Sequence, residues 1–330
     1  VLRSLPSLNR SEQAADVQFE EVGFFKARTD GTEADDRPGV TLVHEVEGVV
    51  PEASRIKQLA GYIVTRIENA RDHKIPMLPG IAQRAMEVAN DPDVSIRDLS
   101  KVMKPDAVLT ARVLSLSNSP LYAPAKRITN LDSGIMLLGV GLVRDILYQS
   151  VAEAHIFRGD AAVFLRQHRL HGIAVAYIMR HMSGHLGLSK DYAFLSGLLH
   201  DIGTVVLRQV LDKDAPQGYE PSDFDFVAEQ IHTHIGKLVC ERWDLPASVQ
   251  EVARRHHRFE SGGSRDGYSQ LGHVAAVSER LAEHVGLGEK RGMNRLDSSE
   301  MGMFYQLGLS EDAINSAISF SESIRERLKP

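Results

Sequence analysis

"LSGLLHDIG", residues 195–203, sets His200 and Asp201 side by side at the end of an apolar run that Gly203 closes. The leucines ask for a buried helix. Two metal-capable side chains in that place are either a polar blemish on a core helix or two ligands of a site whose other members lie elsewhere. An adjacent His–Asp pair can supply two ligands where a helix turns, and its carboxylate can bridge two ions.

Other histidines decide between these readings. His171 in "RLHGIAVAYI", His232 in "EQIHTHIG" and His256–His257 in "VARRHHRF" fall on different predicted helices of the same half of the chain. Helical bundles build metal sites from inward side chains on facing helices. Imidazole with carboxylate suits iron, zinc, manganese and related ions. The plain reading of any single helix histidine is that it is exposed or satisfied locally. His181 and His185 have i, i+4 spacing but stand beside Gly184 and Gly187 near a helix end, so they read as surface. His232 and His234 point in different directions on a helix, and one of them serves. His168 and His171 lie one turn apart; His171 is preferred. His44, His73, His155 and His284 have no arguable partner.

Upstream, the helical pattern begins near Pro51. Ile56, Leu59, Ala60, Ile63, Val64 and Ile67 recur at helical spacing. Pro79 interrupts, and Asp91-Pro92-Asp93 breaks the helix that follows it. Ser95 suits an N-cap, with Asp98 at the third helical position closing a capping box. Pro105 ends that helix and Asp106 caps the next. Asn118 is expected to bond backbone where "NSP" stops the helix. Leu109, Val113, Leu114, Leu137 and Leu138 are expected in the core, and "LDSGIMLLGVGLVRDILYQSVAEAH" is expected to run as helix despite its glycines. Helices are expected over 161–186, 191–212, 223–244, 246–257, 269–286, 298–307 and 310–328.

The first fifty residues differ. "TDGTEADDRPG" (29–39) reads as an acidic loop, flanked by two strand-like stretches. The fold class is therefore mostly α: a two-lobed helical bundle behind a small N-terminal extension with short strands. The expected divisions are 1–50 for the extension, 51–158 for the first lobe and 159–330 for the second.

A net charge of -6 argues against a generic binder of phosphate backbones. The single cysteine, Cys240, excludes an internal disulfide and a paired-cysteine zinc site. No apolar run reads as a membrane span, and "VLRSLPSLNRSEQ" has no signal-peptide core. The expectation is a soluble, cytoplasmic protein that binds neither nucleic acid nor membrane.

With these pieces together, the second half resembles the HD superfamily of metal-dependent phosphohydrolases. The first lobe sharpens the likeness. "IPMLPGIAQRAMEVANDPDVSIRDLSKVMKPDAVLTARVLSLSNSPLYAPAKRITNLDSGIMLLGVGLVRDIL" (75–147) is similar to the HDOD domain, the HD-related output domain of bacterial signalling proteins. The resemblance implies an all-α signalling module, and many such domains act by binding partners rather than by catalysis. The HD ligand order is His, His-Asp, His, a histidine pair and a final Asp. It maps onto His171, His200, Asp201, His232, His256 and His257, and implies one or two divalent ions among Fe, Mn, Zn, Ni and Mg.

The departures from that pattern are specific. Thr204 follows "HDIG" where HD-GYP relatives often carry lysine. Gly267-Tyr268 is not followed by proline, and Ala276 stands near the place of the final aspartate. His273 or Glu279 could substitute there only if geometry allows. Arg254, Arg255 and Arg258, with Thr204, are candidates to receive a phosphate-bearing ligand, against a plain reading of the arginines as a solvated helix end. The leading expectation is a bacterial signal-transduction protein with a retained metal site, acting on protein partners and tuned by metal or a nucleotide-like ligand. The alternative is a metal-dependent phosphohydrolase in which Asp201 is catalytic. A third reading is an oxygen-activating di-iron protein using the same cage.

Overall fold

A computed structural model describes residues 53–68, 80–91, 93–119, 122, 124–157, 161–188, 192–257, 267–288, 296 and 298–328. The expected strands and acidic loop of residues 1–50, and Pro79 and Arg258, lie outside the described residues. Among the described residues there is no strand.

The first helix, α1 (Ala53–Glu68), buries its expected stripe, Ile56, Leu59, Ala60, Ile63, Val64 and Ile67. It lies against a helix from the second half of the chain, as shown below. Then come α2 (Gly80–Asn90), α3 (Ile96–Met103), α4 (Ala107–Ser117), α5 (Leu131–Leu138) and α6 (Val140–Val151), which pack on one another. Local chemistry fixes their ends. The Ser95 side chain accepts from the Asp98 N–H, and the Asp98 carboxylate accepts from the Ser95 N–H. Asp106 accepts from the N–H groups of Val108 and Leu109. Asn118 uses its whole amide: Nδ2 donates to Leu114 and Ile128 carbonyls, and Oδ1 accepts from the Ile128 N–H at 2.8 Å. One side chain thus stops α4 and pins the loop that follows.

Two expectations fail in this lobe. The run from Leu131 onward is not one helix, because Gly139 adopts φ 82, ψ 151 and the chain bends by 112° between α5 and α6. That backbone region belongs almost exclusively to glycine. Glycine here breaks the helix rather than merely easing its packing. Leu137, expected in the core, is 39% exposed, because the bend swings the last turn of α5 outward. Leu114 and Leu138 are only partly buried, whereas Leu109 and Val113 are core.

A π-helical turn, Ala152–Ile156, follows α6 and leads to the longest helix, α7 (Ala162–His185). Glu153 on that turn accepts from Arg112 of α4 and Arg169 of α7, so charge as well as apolar contact joins the halves. Asp145 of α6, which is buried, pairs with Arg180 of α7. The chain continues through α8 (Ala193–Leu199), α9 (Ile202–Asp214), α10 (Phe224–Arg242), α11 (Ala247–Arg255), α12 (Gly267–His284), α13 (Ser298–Gln306) and α14 (Glu311–Leu328). α7 carries α8, α12 and α14 on its faces, and α10 packs on α1, α9 and α11. One hydrophobic core runs from α1 through both halves, and a second lies between α7 and the helices after α11.

The stretch Ala193–Asp214 has the length and composition of a membrane span, with a mean hydropathy of 1.2, but 83% of that window is buried among the other helices. Its apolarity serves the core. Cys240 is buried in α10, and burial pushes its thiol up to about 12. DTNB should therefore leave the native protein unlabelled and titrate one thiol per chain only in denaturant; rapid native labelling would contradict this packing.

Candidate metal centre

The opening question has a geometric answer. His200 closes α8, and Asp201, with φ -106 and ψ 24, precedes α9. The helical run is interrupted at these two residues, so neighbours in sequence can address one interior point. Gly203 lets α9 sit directly on α10: a Cβ there would overlap the His232 carbonyl oxygen and stand 2.6 Å from the Gly236 nitrogen. That contact brings His232 beside Asp201.

The imidazoles are held in a common way. Nδ1 of His200 donates to the Gly197 carbonyl at 2.7 Å, and Nδ1 of His232 to that of Ala228 at 2.7 Å. His256 donates to Val252 at 3.2 Å, His168 to Phe164 at 3.1 Å, and His171 to Leu287 at 3.0 Å. A carbonyl oxygen has no proton to give, so Nδ1 carries the hydrogen in each ring. The Nε2 of each neutral ring is then a bare lone pair, the form a metal takes. In His200, His232 and His256 this Nε2 is buried without a hydrogen-bond partner. An unsatisfied buried polar atom costs about 1–3 kcal/mol, so three in one cluster mark a place built for an occupant.

The cluster is continuous. Ring centroids lie 5.1 Å apart for His171–His200, 5.0 Å for His200–His256, 5.4 Å for His232–His256 and 4.9 Å for His232–His257. Asp201 sits at its edge: Oδ1 is 3.9 Å from Nε2 of His232, and Oδ2 is 3.7 Å from Nε2 of His168. Donor atoms of His232, His256 and His257 lie within 4.8 Å of one another, and so do those of His171, His200 and Glu279. Both groups could hold a cation. Burial, and next the neighbouring His171, hold His200 well below the usual imidazole range; burial and then His257 do the same for His256. His257 is half exposed and gives the cluster an outward edge.

The six residues singled out as ligands in the sequence thus come together in space. The weaker ligand-binding candidates divide. Thr204 is buried, and its hydroxyl donates to Asp201 Oδ1 at 2.6 Å, so it orients the carboxylate. Arg254 and Arg255 are exposed, and Arg255 pairs with Glu251 one turn back on α11. His181 and His185 lie apart from the cluster, bonded to each other at 3.3 Å, with His181 stacked on Phe320.

Two residues of the cluster were not found by sequence reasoning as such. His168 was passed over for His171, yet three positions along a helix leave both on one face, and both are buried here. Glu279 was named only as a conditional substitute. It stands one turn beyond Ala276 as His273 stands one turn before it, so helical periodicity alone does not rank the two; the placement of α12 does.

The described residues thus form an all-helical domain with a His–Asp cluster at a helix junction. Residues 75–259 match the model of the HDOD domain, more than half of the chain, and the chain belongs to the HDOD family. It is 26% identical over 226 residues to an uncharacterized protein of Treponema pallidum (strain Nichols), covering 64% of this chain and spanning 43% of the length of that relative.

Two solved structures share the fold. One is an HDOD domain protein of unknown function from Geobacter sulfurreducens, 21% identical, TM-score 0.61, over 84% of this chain and 99% of that one. The other, from Shewanella amazonensis SB2B, is provisionally named a metal-dependent phosphohydrolase; it is 21% identical, TM-score 0.64, over 83% and 99%. A protein from Marinobacter aquaeolei VT8, provisionally named for signal transduction, is 20% identical with TM-score 0.56, over 83% of this chain and 64% of that one.

Proposed function

We propose that this chain is a signal-transduction HDOD protein with a divalent metal centre made by His171, His200, Asp201, His232, His256 and His257. It acts by binding a protein partner or a nucleotide-like ligand. The observation that carries this reading is the convergence of the three buried, partnerless Nε2 atoms of His200, His232 and His256. Imidazole-rich donor sets favour Fe, Zn, Ni or Mn over Mg. When bound, such an ion would lower the pKa of water and polarise a phosphoryl oxygen.

What the chain's own residues do favours binding over turnover. Thr204 is engaged with Asp201, Arg255 with Glu251, and four of the imidazoles are buried. A second reading, a metal-dependent phosphohydrolase acting on a nucleotide or phosphodiester, is supported by the completeness of the histidine set and by Asp201 and His257 at the accessible edge.

Elemental analysis of the purified chain tests the centre, with about one to two ions per chain expected. Asp201→Ala should lower that content at least tenfold in affinity. A phosphodiester screen with added Mn²⁺ or Fe²⁺ then separates the readings. Turnover that disappears in Asp201→Ala would overturn the binding-only reading; a chain without metal in any preparation would overturn the centre itself.

A further inference from the structure

We infer that Glu279 is an anionic ligand of the ion that His171 and His200 hold, an inference that rests on the metal reading above. α12 brings a Glu279 carboxylate oxygen and one nitrogen of each of these imidazoles within 4.8 Å of one another. Oε2 of the same residue is 3.7 Å from Nδ1 of His257, a member of the other three-donor group. The side chain is only 17% exposed, so its charge is largely withdrawn from water, and in these contacts it faces imidazoles.

Charge balance points the same way. The imidazoles are neutral donors, so without Glu279 the cluster sets the single negative charge of Asp201 against one or two dications. Asp201 approaches from the α8–α9 junction and Glu279 from α12, so the carboxylates reach the cluster from separate elements, and each also neighbours a histidine of the second group. Glu279 would then hold the first ion and lie beside the second.

The rival role is an ion pair with protonated His257. It would leave metal uptake unchanged, and that separates the two. The full chain, stripped with a chelator, is titrated with Zn²⁺ against a chromogenic competitor as wild type, Glu279→Gln and Asp201→Ala. Glu279→Gln is expected to weaken one Zn²⁺ step by about 100-fold, the upper end of what even indirect ligand partners contribute, while the His232–His256–His257 group keeps its own. A Glu279→Gln titration within about twofold of wild type overturns the inference. If Asp201→Ala is impaired in that same experiment, the metal reading stands and this inference alone fails. A wild type that takes up no Zn²⁺ overturns both. Glu279→His gives a second readout that does not depend on losing binding: it should shift the visible spectrum of bound Co²⁺, and an unchanged spectrum counts against ligation.

Discussion

Replacing Gly203 with alanine is expected to destabilise the protein by about 3 kcal/mol or more, at the upper end of overpacking costs, and to disassemble the histidine cluster. The added methyl would overlap the His232 carbonyl and press on the Gly236 nitrogen. Both obstacles are backbone, which cannot rotate aside as a side chain can. Relief requires α9 and α10 to separate, and these are among the most extensively packed helices in the structure. Separation moves His232 away from Asp201. Urea unfolding followed by circular dichroism would measure the first effect and Zn²⁺ titration the second. Wild-type stability together with wild-type metal affinity would show that the α9–α10 contact is not as close as described.

Acid should unfold the metal-free protein steeply. His200 and His256 are each 1% exposed, and burial holds both well below the ordinary value of 6.5. In the unfolded chain they take up protons near pH 6.5; in the folded chain they do so only at much lower pH. The unfolded state therefore binds more protons as pH falls below 6.5. The stability contributed by keeping these rings neutral is fully present above that pH and lost below it, by about 1.4 kcal/mol per pH unit for each group. Together they remove about 2.8 kcal/mol per unit. Urea melts of the stripped chain at pH 7.5, 6.5 and 5.5 would record this slope. His256→Gln should flatten it by about half, and an unaltered slope would mean that His256 accepts its proton freely in the native state.

Much of this architecture is written in local pattern. The stripe of α1, the Ser95–Asp98 box and the Asp106 cap depend on residues within one or two turns of each other, so sequence alone exposes them. Asn118 was legible for the same reason, although its bonds to Ile128 add a loop that local reading could not place. The bend at Gly139 was not legible. Glycine is compatible with continuing a helix or with breaking it, and here the packing of α5 and α6 chooses. The exposure of Leu137 follows from that choice.

At the site, residue types and spacing suggested which histidines gather, because inward positions recur with the helical period. What the sequence hid was which acid lies beside them. Ala276 and Glu279 share a helix face, and only the placement of α12 against α7 and α8 brings the longer side chain to His171 and His200. Thr204 was hidden too. A hydroxyl beside a carboxylate in sequence can face solvent, a ligand or its neighbour, and the turn at Asp201 decides for the neighbour.

The bond from His171 to Leu287 reaches across 116 positions, whereas the other four anchored imidazoles lean on carbonyls three or four residues away. It ties one ring of the cluster to the chain segment leaving α12, just ahead of the terminal helix pair. Whatever steadies that ring also steadies the exit segment, and by thermodynamic reciprocity whatever steadies the exit segment steadies the ring.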